Sequence, residues 1–158
     1  MAYTAAVLTI SDSSFEGKRQ DLTGPRLVEV LTIQKFTVVL AEIVPDEQPQ
    51  IEAALIRACE AAQLVITTGG TGVAPRDVTP EATRAVCDRM VDGIPEYIRH
   101  KSLREAPFAA LSRAVCGTRG TSLIVNLPGN PQGAVKSLLY LLPLIPHALD
   151  LLQGRTEH

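Results

Sequence analysis

A chain of 158 residues, 46% hydrophobic and 20% charged, is long enough for one domain with a real core and has an ordinary soluble composition. Its formal net charge of −2, with no lysine- or arginine-rich block, argues against non-specific nucleic-acid binding. The three cysteines, Cys59, Cys87 and Cys116, are far apart and odd in number. Neither they nor His100, His147 and His158 form a metal spacing, so they read as reduced thiols of a cytoplasmic protein.

Tyr3–Ile10 is an apolar run that reads as a first strand buried on both faces. A polar stretch from Ser11 and Asp12 to Asp21 follows. Its length in a compact domain points to a functional, mobile loop. Thr23-Gly24-Pro25 opens a helix with an apolar stripe of Leu27, Val28 and Leu31. Phe36–Val44 is the second strand, closed by Pro45-Asp46-Glu47-Gln48-Pro49. Helix Gln50–Ala62 carries Ile51, Ala54, Leu55 and Ala58 at helical spacing. Leu64–Thr68 is the third strand and runs into Gly69-Gly70-Thr71-Gly72. Thr79 then reads as an N-cap, with Pro80 opening helix Pro80–Met90.

Gly93–Glu96 reads as a break, and Glu96–Leu103 as a helix that ends before Pro107. Ala109–Gly117 fits either a strand or a helix. Gly117–Thr121 is a turn and Ser122–Leu127 a strand. Pro128-Gly129-Asn130-Pro131 opens a last helix with Val135, Leu138, Leu139, Leu142 and Leu149. The N-terminus lacks the basic region of a secretion signal. Leu138–Leu152 comes nearest to the ~20 apolar residues of a membrane span. Pro143 and Pro146 interrupt it, so a core or interface helix is expected and no membrane partner. There is no linker or repeat, so residues 1–158 are read as one domain.

Strands alternating with helices imply a parallel sheet with right-handed crossovers. Ligands of such sheets bind at the carboxyl ends of strands. That rule gathers Ser11–Asp21, Pro45–Gln48 and Gly69–Thr79 on one edge. Glycines accept positive φ and close backbone approach, and a helix N-terminus presents amides to an anion. The loop is neither a Walker A motif nor a Gly-x-Gly-x-x-Gly fingerprint. Asp12, Asp46 and Asp77 all lie just past strand ends, where hard oxygen ligands suit Mg²⁺ shared with phosphates. A lone loop Asp more often caps a turn, but three on one edge favour function. Arg76, Arg113 and Lys136 read as phosphate contacts or solvated cations. Ser112 reads as a buried hydroxyl bonded to backbone. No Ser–His–acid or Cys–His pattern is present. The residues thus define an α/β domain for a phosphate-bearing ligand with Mg²⁺, and no reaction.

Thr67–Gly72, Pro75–Ala82, Leu111-Ser112-Arg113 and Asn126–Pro131, with Thr9–Ser13 and Val44-Pro45-Asp46, resemble the molybdopterin-binding family of molybdenum cofactor biosynthesis. The motifs keep the family's order over nearly the whole chain. Within the family the chain looks like the molybdopterin adenylyltransferases and the matching domain of fused eukaryotic proteins. The resemblance implies a three-layer α/β sandwich around a mostly parallel sheet, typically a homotrimer.

It also implies Mg-ATP-dependent adenylylation of molybdopterin with release of pyrophosphate, and hand-over of the product to a molybdate-inserting protein. It makes Asp46 and Asp77 the catalytic and Mg²⁺-holding residues. It assigns Ser11, Asp12, Thr68, Gly69, Gly70, Thr71, Gly72, Glu81, Ser112, Asn126, Pro128, Gly129 and Asn130 to the substrate and nucleotide pocket. The alternative is a non-catalytic molybdopterin carrier; the pair Asp46 and Asp77 favours the enzyme. Molybdate insertion belongs to longer, multidomain relatives, and a nucleotide pyrophosphatase has less reason to carry Leu-Pro-Gly-Asn-Pro.

Overall fold

Apolar β-branched runs too short for helices become strands, and the amphipathic segments between them become the covering layers. The structure is a computed structural model that describes residues 2–155; His158 lies outside them. In chain order it comprises β1 (Thr4–Ile10), α1 (Asp12–Phe15), α2 (Thr23–Ile33), β2 (Thr37–Val44), α3 (Gln48–Ala61), β3 (Leu64–Thr68), α4 (Thr79–Val86) and β4 (Arg89–Met90). The chain continues through α5 (Gly93–Ser102), a 3-10 turn (Pro107–Leu111), β5 (Cys116–Arg119), β6 (Ser122–Leu127), α6 (Pro131–Leu141) and α7 (Ile145–Leu152).

The six strands form one sheet in the order β2-β1-β3-β6-β5-β4. The first four run parallel, and β5 and β4 add an antiparallel edge. Strand period 2 splits the core into two layers. Ala5, Val7, Leu64, Ile66, Leu123 and Val125 face α2, α5, α6 and α7, meeting Leu27, Leu31, Ile98 and Leu138. Ala6, Leu8, Ile10, Val65 and Ile124 face α3 and α4, meeting Ile51, Leu55, Ala82 and Val86. The expected three-layer sandwich is therefore the observed fold. The order also switches at β1, which lies between β2 and β3. α2, which leads away from β1, packs on one face of the sheet, and α4, which leads away from β3, packs on the other. The loops after β1 and β3 thus part company, leaving a crevice between them.

Several boundaries differ from the sequence reading, each for a local reason. The helix expected over Pro80–Met90 stops at Val86, because Asp88 N donates to Thr118 O at 2.7 Å and Val91 N to Cys116 O at 2.8 Å. That pairing makes β4 an edge strand. Gly93–Glu96 is no break: α5 begins at Gly93, and Pro95 sits in the first turn, where a missing N–H is tolerated. Ala109–Gly117 divides into the end of the 3-10 turn, an extended link and the start of β5. The loop expected to be mobile contains α1, capped by the Ser11 hydroxyl, which accepts from Ser14 N. The single last helix is two, α6 and α7, bent by 62° at the Pro143 break. Among the described residues no single helix is long and apolar enough to cross a membrane.

Leu138 and Leu139 both belong to the apolar stripe read from sequence, but Leu138 is fully buried while Leu139 is 48% exposed. Leu138→Ala is expected to lower the unfolding free energy by about 2–5 kcal/mol. Leu139→Ala should change it by no more than about 0.5 kcal/mol. Urea denaturation of both variants measures the difference.

Candidate active site

The site is built around Gly69 and Gly70, both at positive φ (98° and 67°). A Cβ on Gly69 would stand 2.3 Å from the Ile10 carbonyl oxygen, and one on Gly70 2.3 Å from Thr79 Oγ1. Only glycine fits a backbone pressed this closely between the end of β1 and the start of α4. The loop is stitched on three sides. Gly69 N donates to Leu127 O at 3.2 Å, and Thr68 Oγ1 donates to Pro128 O at 2.7 Å. Thr79 Oγ1 donates back to Gly69 O at 2.9 Å. Thr79 is therefore not the cap of α4; Val78 holds that position.

Behind the loop lies a buried polar relay. Asn126 Nδ2 donates to Thr67 Oγ1 and Thr83 Oγ1, both at 3.0 Å, and its Oδ1 accepts from Val115 N at 3.1 Å. Thr83 Oγ1 donates to Thr79 O at 2.8 Å. Asn126 is 1% exposed with amide and carbonyl both engaged. It supports the loop from inside and is not among the residues that line the cleft beside the loop.

The acids converge in front. Asp12 N donates to Asp46 Oδ2 and Asp46 N to Asp12 Oδ1, each at 2.9 Å, clasping the ends of β1 and β2 together. Asp77 accepts from Ala74 N at 3.0 Å through Oδ2, closing its own turn. Burial pushes the half-buried Asp46 carboxyl above its ordinary range. The Asp12 and Asp77 carboxylates push the same way, against the Asp12 amide and Arg76. The Arg76 guanidinium holds Asp12 below the usual carboxylate range.

The three candidate phosphate cations are already engaged. Arg76 Nε donates to Asp12 Oδ2 and Nη2 to Glu47 Oε1, both at 2.9 Å. Arg113 pairs with Glu81 at 2.7 Å, and Lys136 pairs with Glu105.

A cleft of about 320 Å³ opens beside the loop. Of the residues assigned to the pocket from sequence, Ser11, Thr68, Gly69, Gly129 and Asn130 line this cleft. Pro128 contributes its carbonyl to the Thr68 bond. Gly70, Thr71, Gly72 and Glu81 are not among the lining residues, and neither are Asp12, Asp46 and Asp77, which stand on the α4 side of the loop. Ser112 borders a separate hollow of about 400 Å³ with Arg84, Asp92, Glu96 and Arg99. It is half-buried rather than buried, and its Oγ accepts from Ala114 N at 3.2 Å.

Thr9, Arg19, Gln20, Asp21 and Thr23 also line the first cleft and were not singled out from sequence. Asp21 Oδ1 accepts from Thr23 N and Gly24 N (3.1 and 2.9 Å), and Oδ2 accepts from Thr9 Oγ1 at 2.7 Å. Thr23 Oγ1 donates to Gly129 O at 2.9 Å. An acid just ahead of Thr-Gly-Pro is a helix-start signal that would have found it.

Among the described residues, no group of three or more His, Cys, Asp and Glu is placed to hold a metal ion. A divalent ion here would rest on two carboxylates and its ligand's phosphates. The cysteines are free thiols, and burial pushes those of Cys59 and Cys87 up to about 11.

A glycine loop, three acids and a helix start lie together at the switch point in the parallel part of the sheet, where open α/β sheets bind their ligands. Residues 6–147 match the family model described as a probable molybdopterin binding domain. The molybdopterin adenylyltransferase of Helicobacter pylori J99 is 45% identical over 152 residues, covering 94% of this chain and 86% of that protein. The molybdopterin adenylyltransferase of Escherichia coli K12 is 44% identical over 164 residues, covering 94% and 84%. The solved structure of the molybdopterin biosynthesis enzyme MoaB from Thermus thermophilus superposes with a TM-score of 0.90 at 50% identity, covering 96% of this chain and 97% of that one. The chain belongs to the molybdopterin-binding domain family of molybdenum cofactor biosynthesis, and it is an enzyme of the transferase class.

Asp46→Asn removes a charge flanked by two carboxylates, while its amide oxygen still accepts from Asp12 N. A carboxyl whose pKa rises on folding favours the fold fully below its unfolded value, here 3.8, and loses that contribution as pH climbs through the raised value. The variant is therefore expected to melt at or above the unsubstituted protein at pH 7, with the gain gone near pH 3.8. Calorimetry across that range checks the sign; a lower midpoint at pH 7 contradicts it.

Proposed function

We propose that this protein, a single domain over residues 1–158, transfers the adenylyl group of ATP to the terminal phosphate of molybdopterin. A molybdopterin phosphate oxygen forms a bond to the α-phosphorus, the bond to the β-phosphate oxygen breaks, and pyrophosphate leaves. The observation that carries the reading is the juxtaposition of Asp46 with the Gly69–Gly70 loop, in the electrostatic company of Asp12 and Asp77. Relatives at 44–45% identity that bear the adenylyltransferase name support it.

Nucleotidyl transfer asks for positioning and charge neutralisation more than covalent help from protein. Amides of the Gly70–Gly72 stretch orient phosphate oxygens; Gly69 N and Thr79 N are already taken by Leu127 O and Gly70 O. Asp46 and Asp77 would hold Mg²⁺: they are hard oxygen donors, and crowding of like charge around Asp46 is relieved by a cation. When bound, that ion neutralises charge on the triphosphate. The Thr9, Asp21 and Thr23 side of the cleft orients the rest of the ligand. A homotrimer in the cytoplasm that passes its product to a molybdate-inserting protein completes the reading. Exposed apolar side chains such as Phe108 and Leu111 support a subunit contact.

Asp77→Asn is expected to retain the melting midpoint and molybdopterin binding while lowering the rate of pyrophosphate release by roughly two orders of magnitude or more, the scale of losing a charge-stabilising group. Excess chelator should abolish release by the unsubstituted protein. Near-normal turnover of the variant removes Asp77 from the mechanism, and undiminished turnover in chelator removes the metal.

A further inference from the structure

We propose that Arg113 is a positioning residue that clamps the 71–77 loop, and with it Asp77, instead of touching substrate phosphate. Arg113 lies in the extended link between the 3-10 turn and β5, so no regular element dictates its direction. Its backbone N donates to Thr71 O at 2.7 Å. Its side chain donates from Nε to Gly72 O and from Nη2 to Asp77 O, both at 2.7 Å. The same guanidinium donates from Nη1 to Glu81 Oε2 at 2.7 Å and from Nη2 to Glu81 Oε1 at 3.2 Å. One residue therefore grips the loop where it begins, where it ends, and in the first turn of α4. This assignment rests on the adenylyltransferase reading.

The loop needs such a grip. Val73 is 67% exposed, and the loop's internal ties are the small turn between Ala74 and Asp77. That turn orients the Asp77 carboxylate only if the Asp77 peptide is itself held, and Arg113 holds its carbonyl.

As an isolated ion pair, Arg113 and Glu81 would contribute little, with side chains 39% and 44% exposed. What distinguishes the arrangement is the planar fork of guanidinium donors, which meets two carbonyls and both oxygens of a carboxylate at once. An ammonium concentrates its donors on one atom and cannot span those acceptors. Nε, Nη1 and Nη2 are all engaged, so the cation is occupied by protein.

The test compares Arg113→Lys, Glu81→Gln and the double variant in the full chain. The first readout is hydrogen–deuterium exchange of the 70–78 peptide in the free protein, which is independent of activity. The clamp predicts exchange faster by about 10-fold or more in each single variant. The second readout is steady-state kinetics with molybdopterin, ATP and Mg²⁺. The clamp predicts kcat lower by about 10²-fold, the scale of misplacing a catalytic group, with the KM for molybdopterin within about 3-fold and a raised Mg²⁺ requirement. The double variant should be no worse than the worse single variant, because both break one device.

A direct phosphate contact gives the opposite pattern: Arg113→Lys retains most activity, and Glu81→Gln frees the cation and lowers the KM for ATP. A merely structural role lowers the melting midpoint and leaves kcat per folded molecule unchanged. Either result, or unchanged exchange, overturns the clamp. Failure of the adenylyltransferase reading appears separately, as no product from the unsubstituted protein, and leaves the exchange readout valid.

Discussion

Everything in the candidate site depends on a backbone that passes where no side chain fits. Gly69 turns in the left-handed region with the Ile10 carbonyl where its Cβ would be, and Gly70 does the same against Thr79. This contact sets the separation of β1 from α4, and so the width of the crevice at the switch point. It also brings Gly129 so close that a Cβ there would lie 3.3 Å from Gly69 Cα. The seams on either side then follow from satisfying backbone groups next to that contact. Asn126, Thr67 and Thr83 hold the loop from within the core, where an unpaired polar group would be expensive. They tie the loop to the sheet beneath it.

The electrostatics have a second logic. Asp12, Asp46 and Asp77 place like charges near one another, an arrangement that opposes folding. The protein moderates it unevenly. Asp12 is neutralised by Arg76, which also reaches Glu47, and Glu81 by Arg113. Asp46 keeps a raised proton affinity. Cations thus pair directly with the outer acids, whereas among the described residues neither Asp46 nor Asp77 has a cation at ion-pair distance. Such uncompensated groups are a mark of functional sites.

How much of this the sequence discloses follows from the range of each interaction. The β1, β3 and β6 runs are apolar on both faces because helices cover both, so their strands and the three layers are readable. The glycine loop and the acids after strand ends are local patterns and are readable too. β4 is not, since two residues at an edge leave no periodicity to detect. Pro143 and Pro146 interrupt the apolar run in the sequence, but the run of apolar residues on both sides reads as one helix where the structure has α6 and α7. Asn126 is ambiguous by nature: a polar residue at the end of a buried strand reads equally as a ligand contact or as a partner for core hydroxyls, and the partner Thr83 is 43 positions away. Arg76 and Arg113 fail for the same reason. Their carboxylate partners, Asp12 and Glu81, stand 64 and 32 positions off, so a structural pair looked like a free cation.

In the proposed function, a glycine loop backed by the core, with Asp46 and Asp77 beside it, joins an adenylyl group to a molybdopterin phosphate. The most direct measurement is mass spectrometry of the products after the purified chain is incubated with molybdopterin and Mg-ATP. The account predicts adenylyl-molybdopterin and an equal amount of pyrophosphate. Molybdopterin recovered bound but unmodified, with ATP intact, would contradict it and make the protein a carrier.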